Sequence, residues 1–317
     1  MVVDHNRSLP VVRVGDILTE QNTPRWLIDP LWGASAVGVI GGAPKCAKTW
    51  LALDMAFSVA TGTACLDRYP VGQPGPVLVY LAEDSLGIVR ERVEGIARHR
   101  GLALDSVPLH VITAPVLRLD GQPHRCQLRE TARQLRPRLL LLDPLVRLHG
   151  IDENHAGEVA ELLAYFRSLQ RELDLSVVLV HHTKKNAAGG AAAGLGLRGS
   201  SDIHAFGDSN LYLRRAGDRL MLSSEHRAAA AAQSVYLNLV VSDPGTTHLE
   251  VVGDVGGQKQ RDLQQQVLDL LAEQRVLTRA KLREMLSVKN ERLGGALEAL
   301  QQAGHLSRTA AGWQRTH

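Results

Sequence analysis

Cysteine is scarce in this chain, and long apolar runs are missing. Its 317 residues include three cysteines, at Cys46, Cys65 and Cys126, and their spacing fits no metal-binding motif. An odd number of cysteines without a disulfide framework favours reduced thiols and a cytoplasmic location. No apolar run reaches the roughly 18 residues that span a bilayer, and the first residues lack the basic-then-apolar order of a signal peptide. We therefore expect no membrane association.

Charge is nearly balanced over the whole chain but not along it. The formal net charge is +3, while residues 258–317 alone carry ten Lys/Arg against six Asp/Glu, a balance of +4. A basic tail favours an acidic partner such as nucleic acid. Contact with a protein partner is the competing interpretation of this segment.

Apolar runs alternate with helical segments from residue 25 onward, after a polar stretch, 1–24, that we expect to form an N-terminal arm. The predicted strands are uniformly apolar rather than alternating, which indicates burial on both faces of a sheet. Strands separated by helices favour a parallel sheet with right-handed crossovers. The prediction is an α/β core over 25–256, with strands at 36–40, 76–81, 109–112, 139–142 and 176–180, and helices at 48–61, 88–100 and 158–172.

The chain beyond the fifth strand has a different character. An Ala/Gly-rich segment, 186–197, has few large apolar side chains that could be buried, so it is predicted to be mobile. Shorter β-like runs follow at 210–213, 219–223, 235–241 and 248–252. A linker is predicted at 253–257. Helical spacing at 262–273, 279–286 and 291–303, then a hairpin around Gly312, is the pattern of a small winged-helix-like domain over 257–317.

A phosphate-binding loop is the strongest motif. The residues between an apolar strand and a helix match G-x-x-x-x-G-K-[ST]: Gly42, Ala43, Pro44, Lys45, Cys46, Ala47, Lys48 and Thr49. Backbone N–H groups of such a loop hold the phosphates of a nucleotide, Lys48 reaches the β- and γ-phosphates, and the Thr49 hydroxyl holds Mg²⁺. Ala47 stands where the pattern has glycine, and it fits only if its φ is not strongly positive. The alternative is an ordinary strand-to-helix turn.

Carboxylates follow two of the predicted strands. Asp143 ends the run 139–142, where an acid beside a phosphate-binding loop serves the Mg²⁺ ion, or else caps a helix. Glu83 follows the run 76–81 and can orient and polarise the attacking water. Its alternative role is to cap the helix that begins near Ser85, a role for which Asp84 is the better candidate.

Histidines and arginines complete the candidate set. His181 and His182 end the fifth strand, where a histidine can bond the γ-phosphate; no third residue is spaced to make them a metal site. Arg198, Arg214 and Arg215 are of the type that stabilises charge in phosphoryl transfer. The alternative for the histidines is that they are hydrogen-bonded polar residues at a strand end. The alternative for the arginines is that they are exposed to solvent and have no catalytic role.

Residues 26–215 resemble the RepA-like hexameric helicase ATPases of the RecA/DnaB-like superfamily. The resemblance rests on segments in the family's order: Trp26-Leu27-Ile28, Gly41–Thr49, Leu81–Ser85, Leu142–Leu145, Asp152–Asn154, His181–Lys185 and Arg198–Ser201. It implies a RecA-like core assembled as a ring, most often a hexamer, with ATP and Mg²⁺ bound between protomers. It also implies Glu83 as the catalytic carboxylate, Asp143 as the Mg²⁺-side acid and His182 as the γ-phosphate sensor.

The same resemblance assigns the arginines and the mobile segment. Arg215, with Arg214 as second choice, would be a finger acting on the neighbouring subunit. The segment 184–197 takes the place of a central-channel loop that grips single-stranded DNA, with Lys184, Lys185 and Arg198 as its cationic contacts. Ala47 and the winged-helix-like tail depart from the family's pattern.

The sequence therefore predicts an ATP-hydrolysing ring ATPase that acts on DNA, such as a replicative helicase of a plasmid or other mobile element. A regulatory or adaptor ATPase that assembles with ATP, and binds DNA or a partner protein through its tail without unwinding, is the second hypothesis. A small-molecule kinase is disfavoured because no lid or acceptor site is evident.

Overall fold

A computed structural model describes residues 11–16, 25–152, 156–182, 201–242 and 245–316. The expected N-terminal arm lies largely outside these residues. So do the Ala/Gly-rich segment and the predicted DNA contacts Lys184, Lys185 and Arg198.

Strands and helices alternate through most of the described chain. The strands are β1 (Trp26–Ile28), β2 (Trp32–Gly33), β3 (Val37–Gly42), β4 (Val77–Leu81), β5 (Leu109–Val111), β6 (Leu139–Asp143), β7 (Ser176–His182), β8 (Ser209–Ala216), β9 (Arg219–His226), β10 (Val235–Val241), β11 (Thr247–Asp254), β12 (Val276–Leu277), β13 (Leu306–Thr309) and β14 (Gly312–Arg315). The helices are α1 (Lys48–Thr61), α2 (Leu86–His99), α3 (Gln122–Leu135), α4 (Ala156–Leu173), α5 (Ser201–Phe206), α6 (Val255–Gln274), α7 (Arg279–Leu286) and α8 (Asn290–Gln302). None of these helices is long and apolar enough to cross a membrane.

One nine-stranded sheet organises the molecule, in the order β11-β10-β9-β8-β3-β7-β6-β4-β5. The strands from β8 to β5 in this order run parallel, and β9, β10 and β11 extend the sheet antiparallel from β8. Every residue of β3, β4 and β6 is buried, as their uniformly apolar sequences require. The prediction of an α/β fold with a mostly parallel central sheet is confirmed.

Two apolar cores lie on opposite faces of the sheet. On one face α1 and α2 pack through residues such as Leu51 and Val93. On the other, α3 and α4 pack through residues such as Leu128 and Phe166. The result is the three-layer arrangement that buries both faces of a parallel sheet.

The structure departs from the predicted elements at several places. Helix α3 has no counterpart in the prediction because it is mostly polar and buries only Leu128 and Ala132. Strand β8 continues past the predicted end at 213 to Ala216, because antiparallel pairing with β9 extends it. The linker predicted at 253–257 is wrong: β11 runs to Asp254, and α6 begins at Val255, whose buried side chain and N–H bond to the Ser234 carbonyl at 2.9 Å fix the junction.

The last helices and strands form a unit with its own apolar core. Strands β12, β14 and β13 make a separate antiparallel sheet, and Val267 and Trp313 are among the residues buried in this core. The predicted hairpin is present. Thr278 caps α7, with its hydroxyl accepting from Lys281 N at 3.2 Å. The domain boundary predicted at 256–257 falls inside α6.

Helix α8 contains two adjacent glycines, and the first of them has a packing reason. A Cβ on Gly294 would lie 2.5 Å from Nη2 of Arg279, and this nitrogen donates to the Asn290 carbonyl at 2.8 Å. Gly294 therefore makes room for an arginine that ties the start of α8 to α7.

A buried ion pair joins α1 to the end of α2. The Arg100 Nη2 donates to both carboxylate oxygens of Asp54, at 2.9 and 2.7 Å, and the two side chains are 4% and 3% exposed. The Asp54 carboxylate also accepts from Leu66 N at 2.8 Å, and Arg100 Nη1 donates to the Ser58 hydroxyl at 2.6 Å. Because α1 begins with Lys48 and Thr49, this pair fixes the helix that carries them.

We predict that Asp54→Ala lowers the free energy of unfolding by about 3–5 kcal/mol, because it leaves the buried Arg100 guanidinium with only the exposed Asp67 carboxylate, 3.4 Å from Nε, as a counter-charge. Arg133→Ala is the matched control, since Arg133 pairs with Glu172 at 2.5 Å while its side chain is 55% exposed. Exposed pairs contribute little to stability, because water screens them. Urea unfolding followed by circular dichroism measures both changes, and equal effects of the two variants would contradict the prediction.

Candidate nucleotide-binding site

The candidate site is a cavity of about 610 Å³ at the carboxyl ends of the parallel strands. This is the edge at which ligands bind in open α/β sheets. The sequence-predicted residues that line it are Lys45, Cys46, Ala47, Lys48, Thr49, Glu83, Asp143, His182 and Arg215. Residues far apart in the sequence therefore meet in one place.

The loop between β3 and α1 has the backbone shape of a phosphate cradle. A Cβ on Gly42 would lie 2.4 Å from the Leu213 carbonyl oxygen, so only glycine fits beneath the loop. Ala47 has φ 60° and ψ 26°, which is the left-handed region. The expectation that alanine fits only with a φ that is not strongly positive is therefore wrong. Hydrogen bonding of the first turn, with Leu51 N donating to the Ala47 carbonyl at 3.1 Å, holds the alanine in a conformation that glycine adopts more easily.

Lys48 is folded into the loop. Its Nζ donates to the carbonyl oxygens of Gly42 at 3.0 Å and Ala43 at 2.8 Å, and the residue is 5% exposed. Burial lowers the pKa of Lys48, while the nearby Cys46, Asp143 and Glu83 raise it. Burial also raises the pKa of the Cys46 thiol, which favours its neutral form. An anion in the cradle would give this buried ammonium a counter-charge at close range.

Thr49 and Asp143 form the second part of the site. The Thr49 hydroxyl donates to Asp143 Oδ2 at 2.6 Å. Burial raises the pKa of Asp143 to about 6, opposed by the Thr49 hydrogen bond and the charge of Lys48. Mg²⁺ in nucleotide sites is held by one or two protein oxygens together with substrate phosphates. The hydroxyl and carboxylate oxygens fit that requirement, and no cluster of three or more His, Cys, Asp or Glu among the described residues offers a metal site elsewhere.

Glu83 lies beside this pair, because β4 and β6 are neighbours and Ala82 N donates to the Asp143 carbonyl at 2.8 Å. The prediction that Asp84 caps α2 is wrong. Ser85 is the cap, with its hydroxyl accepting from Ile88 N at 3.4 Å. Asp84 instead accepts from Arg92 Nη1 at 2.5 Å.

His182 and Arg215 reach the cavity from β7 and β8, whereas His181 is buried and does not line it. Arg215 Nη2 donates to the Lys45 carbonyl of the same chain at 3.2 Å. Arg214 points elsewhere and contacts the Met221 sulfur at 3.3 Å. The predicted strand ended at 213, which placed both arginines after it. In the structure β8 runs to Ala216, so both arginines lie within the strand.

Sequence reasoning missed part of the cavity lining. Arg92 lies over the Trp50 ring, with its guanidinium carbon 5.5 Å from the ring centroid, and both residues line the cavity. Trp50 follows the motif directly and was visible in the sequence. No local pattern marks the others, which the antiparallel strands bring near the loop: Asp218, Leu220, Leu237, Asn238, Leu239 and Val240.

The protein is a RecA-like P-loop ATPase. The features that define this class are a glycine-containing loop with a buried lysine, a Thr–Asp pair and a central parallel sheet. Comparison of the sequence with known families agrees. A family profile described as an AAA domain matches residues 5–188, and the chain belongs to that family. Among solved structures, the crystal structure of the RadB recombinase is similar, with a TM-score of 0.50 and 16% sequence identity over 69% of this chain and 91% of that one. At this identity the similarity concerns the fold alone.

We predict that Ala47→Gly raises the free energy of unfolding by about 0.5–1 kcal/mol, because glycine adopts the left-handed conformation without the Cβ clash. Ala47→Val, which places a β-branched side chain at the same φ, should lower it. Urea unfolding of the nucleotide-free protein measures both variants. A loss of stability in Ala47→Gly would contradict the inferred strain.

A second prediction follows from Asp143. A pKa raised from 3.8 to about 6 means that the folded state binds this proton more tightly than the unfolded state does. Protonation therefore stabilises the fold, and this contribution is lost as pH rises through about 6. In EDTA without nucleotide, Asp143→Asn should be more stable than wild type at pH 7.5, by up to roughly 3 kcal/mol.

The gap between Asp143→Asn and wild type should shrink as pH falls from about 6 to about 4 and be absent at lower pH, where the wild-type carboxyl is protonated in both states. Unfolding midpoints measured across this range test the sign. A difference that does not change with pH would show that the substitution acts through packing instead.

Proposed function

We propose that this protein is a ring-forming ATPase that hydrolyses ATP while acting on single-stranded DNA, as a replicative helicase of a plasmid or other mobile element does. The observation that carries the proposal is the convergence of Lys48, the Thr49–Asp143 pair, Glu83 and His182 on one cavity. These groups supply charge for the phosphates, oxygens for the metal, a base for water and a contact for the γ-phosphate.

Each group has a defined task in this proposal. Lys48 exchanges the Gly42 and Ala43 carbonyls for phosphate oxygens, and loop N–H groups bind the remaining phosphate charge. Thr49 and Asp143 would hold Mg²⁺, which would neutralise charge on the phosphates. Glu83 orients and polarises the attacking water. His182, at the end of β7, bonds the γ-phosphate and responds to its loss.

The apolar side of the cavity suits a nucleotide base. Leu220 and Leu237 are buried beneath it, and Leu239 is 43% exposed on the same strand as Leu237. Such a surface beside a polar cradle matches a ligand with an apolar ring and a charged chain. We assign this side to the adenine.

The role of Arg215 has two testable forms. In the resembled family this position acts on the neighbouring subunit, and we keep that assignment as the proposal, with Arg214 as the second choice. The contact with its own Lys45 carbonyl supports action within one chain as the competing form. Arginine in either place stabilises the charge of the transferring phosphoryl group.

DNA contact is proposed for Lys184, Lys185 and Arg198, which lie in the sequence between β7 and α5. We further propose that the C-terminal unit is a winged-helix-like domain that binds DNA weakly or binds a protein partner. The exposed residues of α8 include Glu291 and Glu298 against Arg292, a poor surface for reading bases. This favours the protein partner, and with it the second candidate function, an adaptor ATPase that assembles without unwinding.

We predict that ATP turnover per chain rises with protein concentration through the assembly range and rises again with single-stranded DNA.

Lys48→Ala should reduce turnover by at least about a hundredfold, because the cradle loses its cation. Glu83→Gln should retain ATP binding and lose turnover. Steady-state ATPase assays, nucleotide-binding titrations and mass measurement test these points together. Strand separation distinguishes the helicase from the adaptor.

Mixing Arg215→Ala with Lys48→Ala chains separates the two forms of the arginine. If the finger acts on a neighbour, some interfaces in the mixed ring pair an intact Lys48 with an intact Arg215, and part of the activity returns. If Arg215 acts within its own chain, no site is complete and the mixture stays inactive. Full turnover by an Arg215→Ala monomer would contradict both forms.

A further inference from the structure

A turn directly after β6 carries an arginine outside the cavity. It is the 3₁₀ turn Leu145–Arg147, in which Arg147 N donates to the Pro144 carbonyl at 3.0 Å. Leu145 and Leu148 are 1% and 0% exposed, so they anchor the turn on both sides of the arginine. The Arg147 side chain is 62% exposed. Its backbone is thus fixed while its guanidinium can move.

The guanidinium reaches the proposed catalytic carboxylate. Arg147 Nε donates to Glu83 Oε1 at 2.9 Å, and the Glu83 side chain is 50% exposed. Glu83 lines the cavity and Arg147 does not. A charged side chain on the surface therefore holds a carboxylate that belongs to the site.

This contact affects what Glu83 can do. The guanidinium occupies Oε1 with a charge-assisted hydrogen bond and fixes the direction of the side chain, so the carboxylate is not free to turn toward the attacking water while the pair holds. We infer that Arg147 is a positioning residue that holds Glu83 away from the attacking water until a phosphodiester draws the guanidinium off. The inference rests on the proposed function, which assigns Glu83 its role.

The strength of the pair fits a reversible hold. Ion pairs between exposed side chains are weak, because water competes for both partners. The planar guanidinium binds phosphate and carboxylate with the same forked geometry, so a phosphodiester can replace Glu83 as its partner. A pair this weak limits the suppression of turnover to about fivefold, which corresponds to about 1 kcal/mol.

The test is steady-state ATP hydrolysis by the full chain with and without single-stranded oligo(dT), comparing wild type, Arg147→Ala and Arg147→Lys. Arg147→Ala should raise kcat without DNA by about two- to fivefold and leave KM for ATP unchanged, because Glu83 acts on water and not on nucleotide binding. Its stimulation by oligo(dT) should fall toward onefold. Arg147→Lys keeps the charge and should retain part of the stimulation.

Arg133→Ala is the matched control, because it removes an exposed arginine that pairs with Glu172 between α3 and α4, outside the cavity lining. It should match wild type in both conditions. A lower kcat of Arg147→Ala without DNA would overturn the inference, because Arg147 would then hold Glu83 in its productive position. Unchanged kcat and unchanged stimulation would also overturn it, as would a wild type that oligo(dT) does not stimulate.

Failure of the proposed function has a different signature. Glu83→Gln that hydrolyses ATP at the wild-type rate would remove the assignment of Glu83 itself. Loss of turnover in Glu83→Gln together with an unresponsive Arg147→Ala would leave that assignment in place and remove only the hold by Arg147.

Discussion

The position of β3 between β7 and β8 is the constraint on which the site depends. Register pairs Gly42 with His182 on one side and with Leu213 on the other. The phosphate loop therefore starts level with His182 and two residues before Arg215 on β8. The approach is so close that a Cβ on Gly38 would lie 1.7 Å from the Ser209 carbonyl oxygen. Glycines in β3 serve this packing as well as the loop that follows.

Burial gives the site its electrostatic character. Desolvation moves both Lys48 and Asp143 toward their neutral forms, with the pKa of the lysine lowered and that of the carboxyl raised to about 6. Phosphate and Mg²⁺ would reverse this imbalance, since each buried group would then gain an opposite charge. Burial of these two charged groups costs stability, and such a ligand would offset this cost. The left-handed Ala47 adds backbone strain at the same place.

Contacts outside the cavity and at its edge also support this site. The buried Asp54–Arg100 pair ties α1 to α2, and the anchored turn at Leu145–Arg147 links the end of β6 to Glu83. The exposed Glu83–Arg147 pair and the buried Asp54–Arg100 pair differ in how much they stabilise the fold, because water screens the first and not the second. The exposed pair therefore contributes little to stability, while the buried pair is part of the fold.

Local signals in the sequence were enough for the α/β class, the positions of the parallel strands and the loop with Lys48 and Thr49, because uniformly apolar runs and a contiguous motif need no distant partner. They also placed Glu83 and Asp143 at strand ends. Tertiary contacts establish which strands are neighbours, and hence that β10 brings Leu239 to the cavity and that Arg147 reaches Glu83. The left-handed conformation of Ala47 likewise emerges in the folded chain alone. These outcomes depend on how the chain packs in three dimensions, and no local pattern records them.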